Sequence, residues 1–272
     1  MGTQFHPSDT LASWGRVVKA THLVARPRFI DEIGPLLTGF SASEPGLAIG
    51  LRRSYGDSNL NPGGRIIDMT ALDRLISFDR ETGVMRAEAG VSLSQALQVL
   101  VPAGWFLPTT PGTRFATLGG SVANDVHGKN HHSAGTFGDA VTRLKLHRTD
   151  GSTRELTPGD PLFHATVGGL GLTGVIEWVE FRATPIPSSD LDAQDFSFEH
   201  VSDYFDLAAE KKDAAEHTMA WIDCITGGTR LGRGILSCAN WNLHGELKAH
   251  REEPRKKMPI DAPGFALNAL TV

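Results

Sequence analysis

The chain has 272 residues, enough for one large domain or two ordinary ones with a proper core. Hydrophobic residues make up 40% and charged residues 21%, as in a soluble globular protein, and a net charge of −5 with no basic stripe argues against a nucleic-acid partner. Cys224 and Cys238 form neither a disulfide framework nor metal-site spacing, so two buried small hydrophobes in a reducing compartment are expected. The N-terminus, Met1 to Asp9, has no charged segment followed by an apolar core, so it does not read as a signal peptide. No apolar run approaches the roughly 18 residues of a membrane span, which makes the expected location cytoplasmic. The densest positive run, Arg255-Lys256-Lys257, follows two glutamates and a proline and reads as a solvated turn.

In chain order, Ser13–Arg26 is rich in β-branched residues and is broken by Pro27. Phe29 to Leu37 predicts a short amphipathic helix ending near Gly39, and Leu47–Gly50 a brief buried strand running into the loop Leu51–Asp57. Short strands follow at Arg65–Met69, Leu75–Phe78 and Val84–Ala89. Leu93–Val101 has helical spacing, with Ser92 or Ser94 as its cap and Pro102 and Gly104 as its end. Strands at Val141–Leu146 and Ser152–Leu156 are joined by an Asp150-Gly151 hairpin turn. Asp160–Val167 reads as a helix and Val175–Arg182 as a long alternating strand. The Pro/Ser-rich break Pro185–Ser189 is the candidate domain boundary, dividing residues 8–184 from 190–272. Beyond it a strand begins at Phe196–Phe198, a helix spans Val201–Lys212, and strands fall at Met219–Ile225 and Arg233–Cys238. Asn240–Val272 has no convincing periodicity. Short helices among many short strands make the fold class α+β.

Thirty glycines gather in clusters, and the densest chemistry lies between Thr109 and Ser133. That stretch carries a Pro-Gly turn, a Gly119-Gly120 turn, and then His127, Lys129, His131 and His132. Glycine lets a backbone approach a ligand closely, and histidine and lysine bring protonatable donors to the cleared place. A ligand with a phosphate or a flat ring suits it. For the histidines a metal site, local hydrogen bonds and a polar cluster lining an active site all stand open. No carboxylate or cysteine completes a ligand set, and Gly128 weakens the helix that four-residue spacing needs, so the polar cluster is preferred for His127 and Lys129. The loop Gly50–Gly56 offers successive backbone N–H groups and Ser54 to an anion, although its arginines also suit an ordinary surface. Gly169-Leu-Gly171-Leu-Thr-Gly174 matches G-x-G-x-x-G, but a helix precedes it and a strand follows, the reverse of a dinucleotide fingerprint. A ligand lying against these glycines and a tight helix-to-strand turn both remain.

Taken in order, Gly50-Leu-Arg-Arg-Ser-Tyr-Gly-Asp57, Pro111-Gly-Thr113, Thr117-Leu-Gly-Gly120, His127-Gly-Lys-Asn-His-His-Ser-Ala-Gly135 and Ala165-Thr-Val-Gly-Gly-Leu-Gly-Leu-Thr-Gly174 closely resemble the decaprenylphosphoryl-β-D-ribose 2-oxidase family, among the vanillyl-alcohol-oxidase-like (PCMH-type) flavoproteins. Ser13-Trp-Gly-Arg16 and Ala220-Trp-Ile-Asp-Cys-Ile225 fit as well. The resemblance implies a PCMH-type two-lobed FAD-binding domain at 8–184, followed by an α+β substrate domain at 190–272 that is incomplete, because the family runs well beyond this length. It implies that Gly50, Arg52, Arg53, Ser54, Tyr55, Gly56 and Asp57 wrap the FAD pyrophosphate. Gly112, Thr113, Thr117, Leu118, Gly119, Gly120, Asn124 and His127 would line the flavin, and Gly171, Gly174 and Ile176 the adenosine half. His127 and Lys129 are the implied catalytic residues, Lys129 and Trp221 the implied substrate contacts, and no metal is needed.

Relatives with covalent flavin carry a histidine where this chain has Arg53, so the FAD is expected to be non-covalent. The implied reaction is hydride transfer from a secondary alcohol carbon of a sugar to flavin N5. The implied substrate is the 2-hydroxyl of a polyprenyl-phosphate-linked ribose, in the making of a cell-wall arabinan precursor. A separate NAD-dependent keto-reductase would complete a two-step epimerisation, and the enzyme would work in the cytoplasm or at a membrane surface. An alditol or aldonolactone oxidase, or a truncated FAD-binding remnant without turnover, are the other readings. Arg52 stands where the family usually has glycine, and Asn124 replaces a cysteine found in some members.

Overall fold

The computed structural model describes residues 3–249 apart from Ala42. The Arg255–Lys257 run and the part of Asn240–Val272 beyond residue 249 lie outside the described residues. The chain opens with β1 (His6–Ser8), β2 (His22–Ala25), α1 (Ile33–Leu37, entered through a 3-10 turn at Ile30–Glu32), β3 (Gly46–Ile49) and β4 (Arg65–Asp68). These strands form a sheet of order β1-β2-β4-β3, in which β4 runs parallel to both β2 and β3. Parallel pairing places the C-terminal ends of β3 and β4 at one edge, Ile49 opposite Asp68, so both strands release their next segments there.

Next come β5 (Leu75–Phe78), β6 (Val84–Glu88), α2 (Leu93–Leu100), β7 (Trp105–Phe106), α3 (Leu118–Ala123), α4 (His131–Ala134), β8 (Val141–His147), β9 (Thr153–Leu156), α5 (Pro161–Thr166), β10 (Val175–Arg182) and β11 (Thr184–Pro185). Five of these strands make an antiparallel sheet of order β5-β6-β10-β8-β9, and β7 pairs with β11. The alternation of β10 sends Ile176, Val179 and Phe181 to one face, where they share a core with Leu93, Leu97 and Leu100 of α2 and Leu118 and Val122 of α3. On the other face Arg86 lies 4.4 Å over the Trp178 ring and bonds Glu180 at 2.6 Å. A bulge between Ile176 and Trp178 makes Glu177 the extra residue. Burial pushes its carboxyl up, but His147 at 2.5 Å and Lys145 at 3.1 Å outweigh that and hold it below the ordinary value.

Helix α2 begins with a capping box, Ser92 accepting from the Gln95 N–H while the Gln95 side chain accepts from the Ser92 N–H; Ser92 rather than Ser94 is the cap. The expected Gly119-Gly120 turn is instead the first turn of α3, capped by Thr117. Glycine is a poor helix former, and the helix is held by bonds to other elements rather than by propensity.

The third part contains β12 (Leu191–Phe198), α6 (Val201–Lys211), β13 (His217–Ile222) and β14 (Gly234–Trp241), with an antiparallel order β12-β14-β13. Phe198, Ala215, Leu236 and Cys238 form its small core. Cys238 is therefore buried as expected, whereas Cys224 is exposed, because it follows β13 into a loop. The preceding part is touched by β13 and the segment before it: the Thr218 N–H donates to Lys129 O at 2.8 Å, and a ring nitrogen of His132 lies 3.2 Å from Ala215 O. Trp241 packs edge-on against Phe106 at 5.1 Å and against His217 at 5.5 Å.

Phe181 is fully buried with Phe137 at 5.5 Å, so Phe181→Ala should cost about 3–5 kcal/mol and lower the urea midpoint accordingly. Burial pushes the His217 imidazole below its ordinary value; Glu216 opposes this, His132 adds to it, and Nδ1 is buried without a partner. The folded chain thus holds His217 neutral, while the unfolded chain takes up a proton near pH 6.5. The associated stability is fully present above that pH and is lost as pH falls below it, down to the depressed folded pKa. Thermal midpoints recorded from pH 7.5 to 5 should fall less steeply for His217→Gln than for the wild-type chain.

Candidate functional site

A cavity of about 580 Å³ opens at the edge where β3 and β4 end, bounded by the loop after β3, the segment from Pro111 through α3, and the turn that leads into β10. This is within the range of about 300–1,000 Å³ typical of cofactor pockets. Ala48, Ile49, Met69 and Ala89 give it an apolar floor.

The loop after β3 is fastened from outside. The Trp14 N–H donates to Ser54 O at 3.0 Å, and Ser13 Oγ donates to Asp57 Oδ1 at 3.1 Å. Arg53 Nε donates to Phe115 O at 3.2 Å, and its guanidinium lies 5.5 Å from the Trp14 ring centroid, so Arg53 straps the loop to the facing wall. Arg52 Nη1 lies 3.9 Å from Asp68 Oδ2. Among the described residues, no backbone N–H from Leu51 to Gly56 donates to another protein group. Fastened by other atoms, the loop leaves these N–H groups without a protein acceptor.

The facing wall has the opposite chemistry. The Leu118 N–H donates to Val91 O at 2.8 Å, the Gly119 N–H to Ala89 O at 2.8 Å, and the Gly120 N–H to Thr117 Oγ1 at 3.1 Å. The first-turn donors of α3 are therefore spent, and Gly119 and Gly120 contribute a side-chain-free surface. The two walls touch at Gly50, where a Cβ would come within 2.2 Å of Thr117 Oγ1. The third wall is the Gly169–Gly174 turn between α5 and β10, the helix-then-strand order expected from the sequence. Leu170 is left-handed there at φ +53 and its N–H donates to Ala123 O at 2.8 Å.

Of the residues anticipated from the sequence, Gly50, Arg52, Arg53, Ser54, Tyr55, Gly112, Thr113, Thr117, Gly119, Gly120, Asn124, Gly171, Gly174 and Ile176 share this one cavity wall. Four others do not. Asp57 is turned to Ser13 and Gly56 precedes it outside the wall, while Leu118 is fully buried in the core below α3. His127 lies past the end of the cavity, beyond Asn124 and Val126, in an isolated bridge with Thr136.

His127 and Lys129 are both exposed, and Trp221, 61% exposed, points from β13 to the face opposite that sheet's core. The other two histidines have local partners: a ring nitrogen of His131 lies 2.9 Å from Gly128 O, and His132 meets Ala215 O. Among the described residues, no group of three His, Cys, Asp or Glu side chains is placed to hold a metal, and no helix is long and apolar enough to cross a membrane.

Trp14, Phe115 and Asn59 also line the cavity and were not anticipated. Trp14 and Phe115 are brought in by the Arg53 strap, which sequence spacing does not reveal. Asn59 is notable chemically. Both polar atoms of its side-chain amide are buried without a protein partner, a cost that a bound polar ligand removes.

Comparison with known proteins agrees with this geometry. Residues 22–157 match the model of the FAD binding domain family. The chain is 38% identical to the decaprenylphosphoryl-β-D-ribose oxidase of Mycolicibacterium smegmatis over 97% of its own length and 58% of that protein's. It is 30% identical to a putative D-arabinono-1,4-lactone oxidase of Neurospora crassa over 44% of this chain and 22% of that one. The chain thus spans little more than half the length of the first relative and less of the second. Among solved structures, an alkyldihydroxyacetonephosphate synthase superposes with a TM-score of 0.68 at 14% identity, covering 82% of this chain and 48% of that chain, which shows a shared fold. With most of the cavity wall drawn from the matched segment, the chain belongs to the FAD binding domain family of FAD-linked oxidoreductases and has the PCMH-type FAD-binding fold.

Proposed function

We propose that residues 8–184 bind FAD non-covalently along this cavity, and that residues 190–272 are part of a substrate-binding domain in an oxidase of a sugar secondary alcohol. The substrate proposed is a polyprenyl-phosphate-linked ribose, the class that the name of the mycobacterial relative gives for that protein, with oxidation at its 2-hydroxyl. The oxidised sugar would pass to a separate NAD-dependent keto-reductase. The observation that carries the cofactor reading is the pairing of an unspent row of N–H donors, Leu51 to Tyr55, with a side-chain-free wall at Gly119 and Gly120. A dinucleotide has both complements, a diphosphate for the donors and a flat ring for the glycine surface. The unpartnered Asn59 amide adds a site for a polar edge of the ligand.

When bound, FAD supplies the two-electron acceptor that alcohol oxidation needs. The chain's own residues do the rest. A ring nitrogen of His127 takes the hydroxyl proton as the alcohol carbon is oxidised. Lys129, exposed beside it, holds the substrate's oxygens, and its carbonyl is already fixed by the Thr218 N–H, so β13 sets the position of this segment. Trp221 lies on the same strand and gives an apolar surface for substrate packing. Arg53 binds through hydrogen bonds and stacking and offers no ring nitrogen for a covalent flavin link.

Purified chain should therefore be yellow, and acid precipitation should release the colour into the supernatant; colour retained in the pellet would refute non-covalent binding. His127→Ala should keep the visible flavin spectrum but slow anaerobic bleaching by a sugar substrate by about 10²–10⁴-fold. Loss of the spectrum in a variant that is still folded would assign His127 to cofactor binding instead.

A further inference from the structure

Arg52 is a residue whose backbone and side chain make opposite demands. Its φ of +54 is in the left-handed region, which an L-side chain resists and glycine enters freely. Its side chain nevertheless lines the cavity, 31% exposed, and reaches the end of the neighbouring strand to stand 3.9 Å from Asp68 Oδ2. Asp68 is itself fixed, because its Oδ1 accepts from the Thr70 N–H at 3.0 Å and from Thr70 Oγ1 at 2.6 Å. At 3.9 Å the pair orients Arg52 without using its donors, and among the described residues its guanidinium makes no hydrogen bond. Arg53 is different: it is committed to Phe115 O and Trp14. The unspent backbone donors, Leu51 to Gly56, surround Arg52. Backbone strain kept at a cavity wall, where the smallest residue removes it, points to work done by the side chain.

We propose that Arg52 is a cofactor-binding residue that sets a fixed positive charge against the diphosphate of the bound dinucleotide, with Asp68 as the anchor that orients it. The inference rests on the FAD reading above and deepens it. The backbone donors of the loop supply a charge-neutral grip, and Arg52 adds a charge-assisted contact that weakens as salt screens it.

The test titrates FAD and ADP into the apo form of the full 272-residue chain, as wild type, Arg52→Gly and Arg52→Lys, at low and high ionic strength, with thermal melts of each apo protein. Arg52→Gly should melt at the same temperature as wild type or higher, since glycine relieves the left-handed strain. It should bind both FAD and ADP roughly 10-fold more weakly at low salt, and the gap should narrow at high salt. Arg52→Lys should recover part of the affinity. Equal affinity of wild type and Arg52→Gly at low salt, or a loss indifferent to salt, overturns the role of Arg52 while leaving FAD binding standing. A wild-type chain that takes up neither FAD nor ADP overturns both.

Discussion

The architecture turns on Thr117. Its hydroxyl caps α3 through the Gly120 N–H, and it occupies the space that a side chain at position 50 would need. Its backbone bridges to Ser92, the cap of α2, and next to that bridge the Leu93 N–H donates to Ala116 O. Two helix caps and the end of β3 therefore converge on one buried residue, 2% exposed. Because Thr117 fixes both helices, the first-turn donors of α3 are met by Val91 and Ala89, and its glycine surface faces the cavity without free polar groups. Moving Thr117 would disturb the wall, both caps and the seam between the two larger sheets together.

Among the described residues, the four non-glycine residues with left-handed backbone, Arg16, Arg52, Asp125 and Leu170, are gathered around this one region. Arg52 and Leu170 line the cavity; Asp125 follows Asn124 of the wall, and Arg16 closes the turn that presents Trp14. Three of them, Asp125, Leu170 and Arg16, are held by bonds that need no ligand. Asp125 accepts the Gly138 N–H at 3.0 Å, the Leu170 N–H is bound by Ala123 O, and the Arg16 N–H by Ser13 O. Strain of about 1–2 kcal/mol per residue is tolerable when the surroundings over-determine the conformation, and it fixes the wall before any ligand arrives.

Much of this was legible in the sequence, for identifiable reasons. Leu75–Phe78 and Val175–Arg182 begin and end as read, because each is bounded by turn residues. The reversed order around Gly169–Gly174 correctly set aside the dinucleotide fingerprint. Helix α3 was hidden because its stabilising bonds come from Val91 and Ala89, more than 25 residues earlier in the chain, and two glycines disguise it. Strand β12 begins at Leu191, five residues before its apolar signal at Phe196, because its first half is exposed and pairs only through backbone with β14. Trp14 and Asn59 were hidden for a related reason: nothing local marks a residue as a cavity wall when distant partners put it there.

Charge separates what the site does at long range from what it does at contact. A net charge of −5 repels an anionic ligand at a distance, but at physiological salt such repulsion fades over about 8 Å. Within that distance the proposed ligand would meet the Leu51 to Tyr55 donors, whose dipoles act regardless of net charge. In the binding mode proposed above, a neutral grip of this kind would hold a diphosphate without concentrating cations, which fits a chain of net negative charge. The guanidinium proposed for this role, at Arg52, would then add charge only beside that loop, so a net negative chain and an anion site would not conflict.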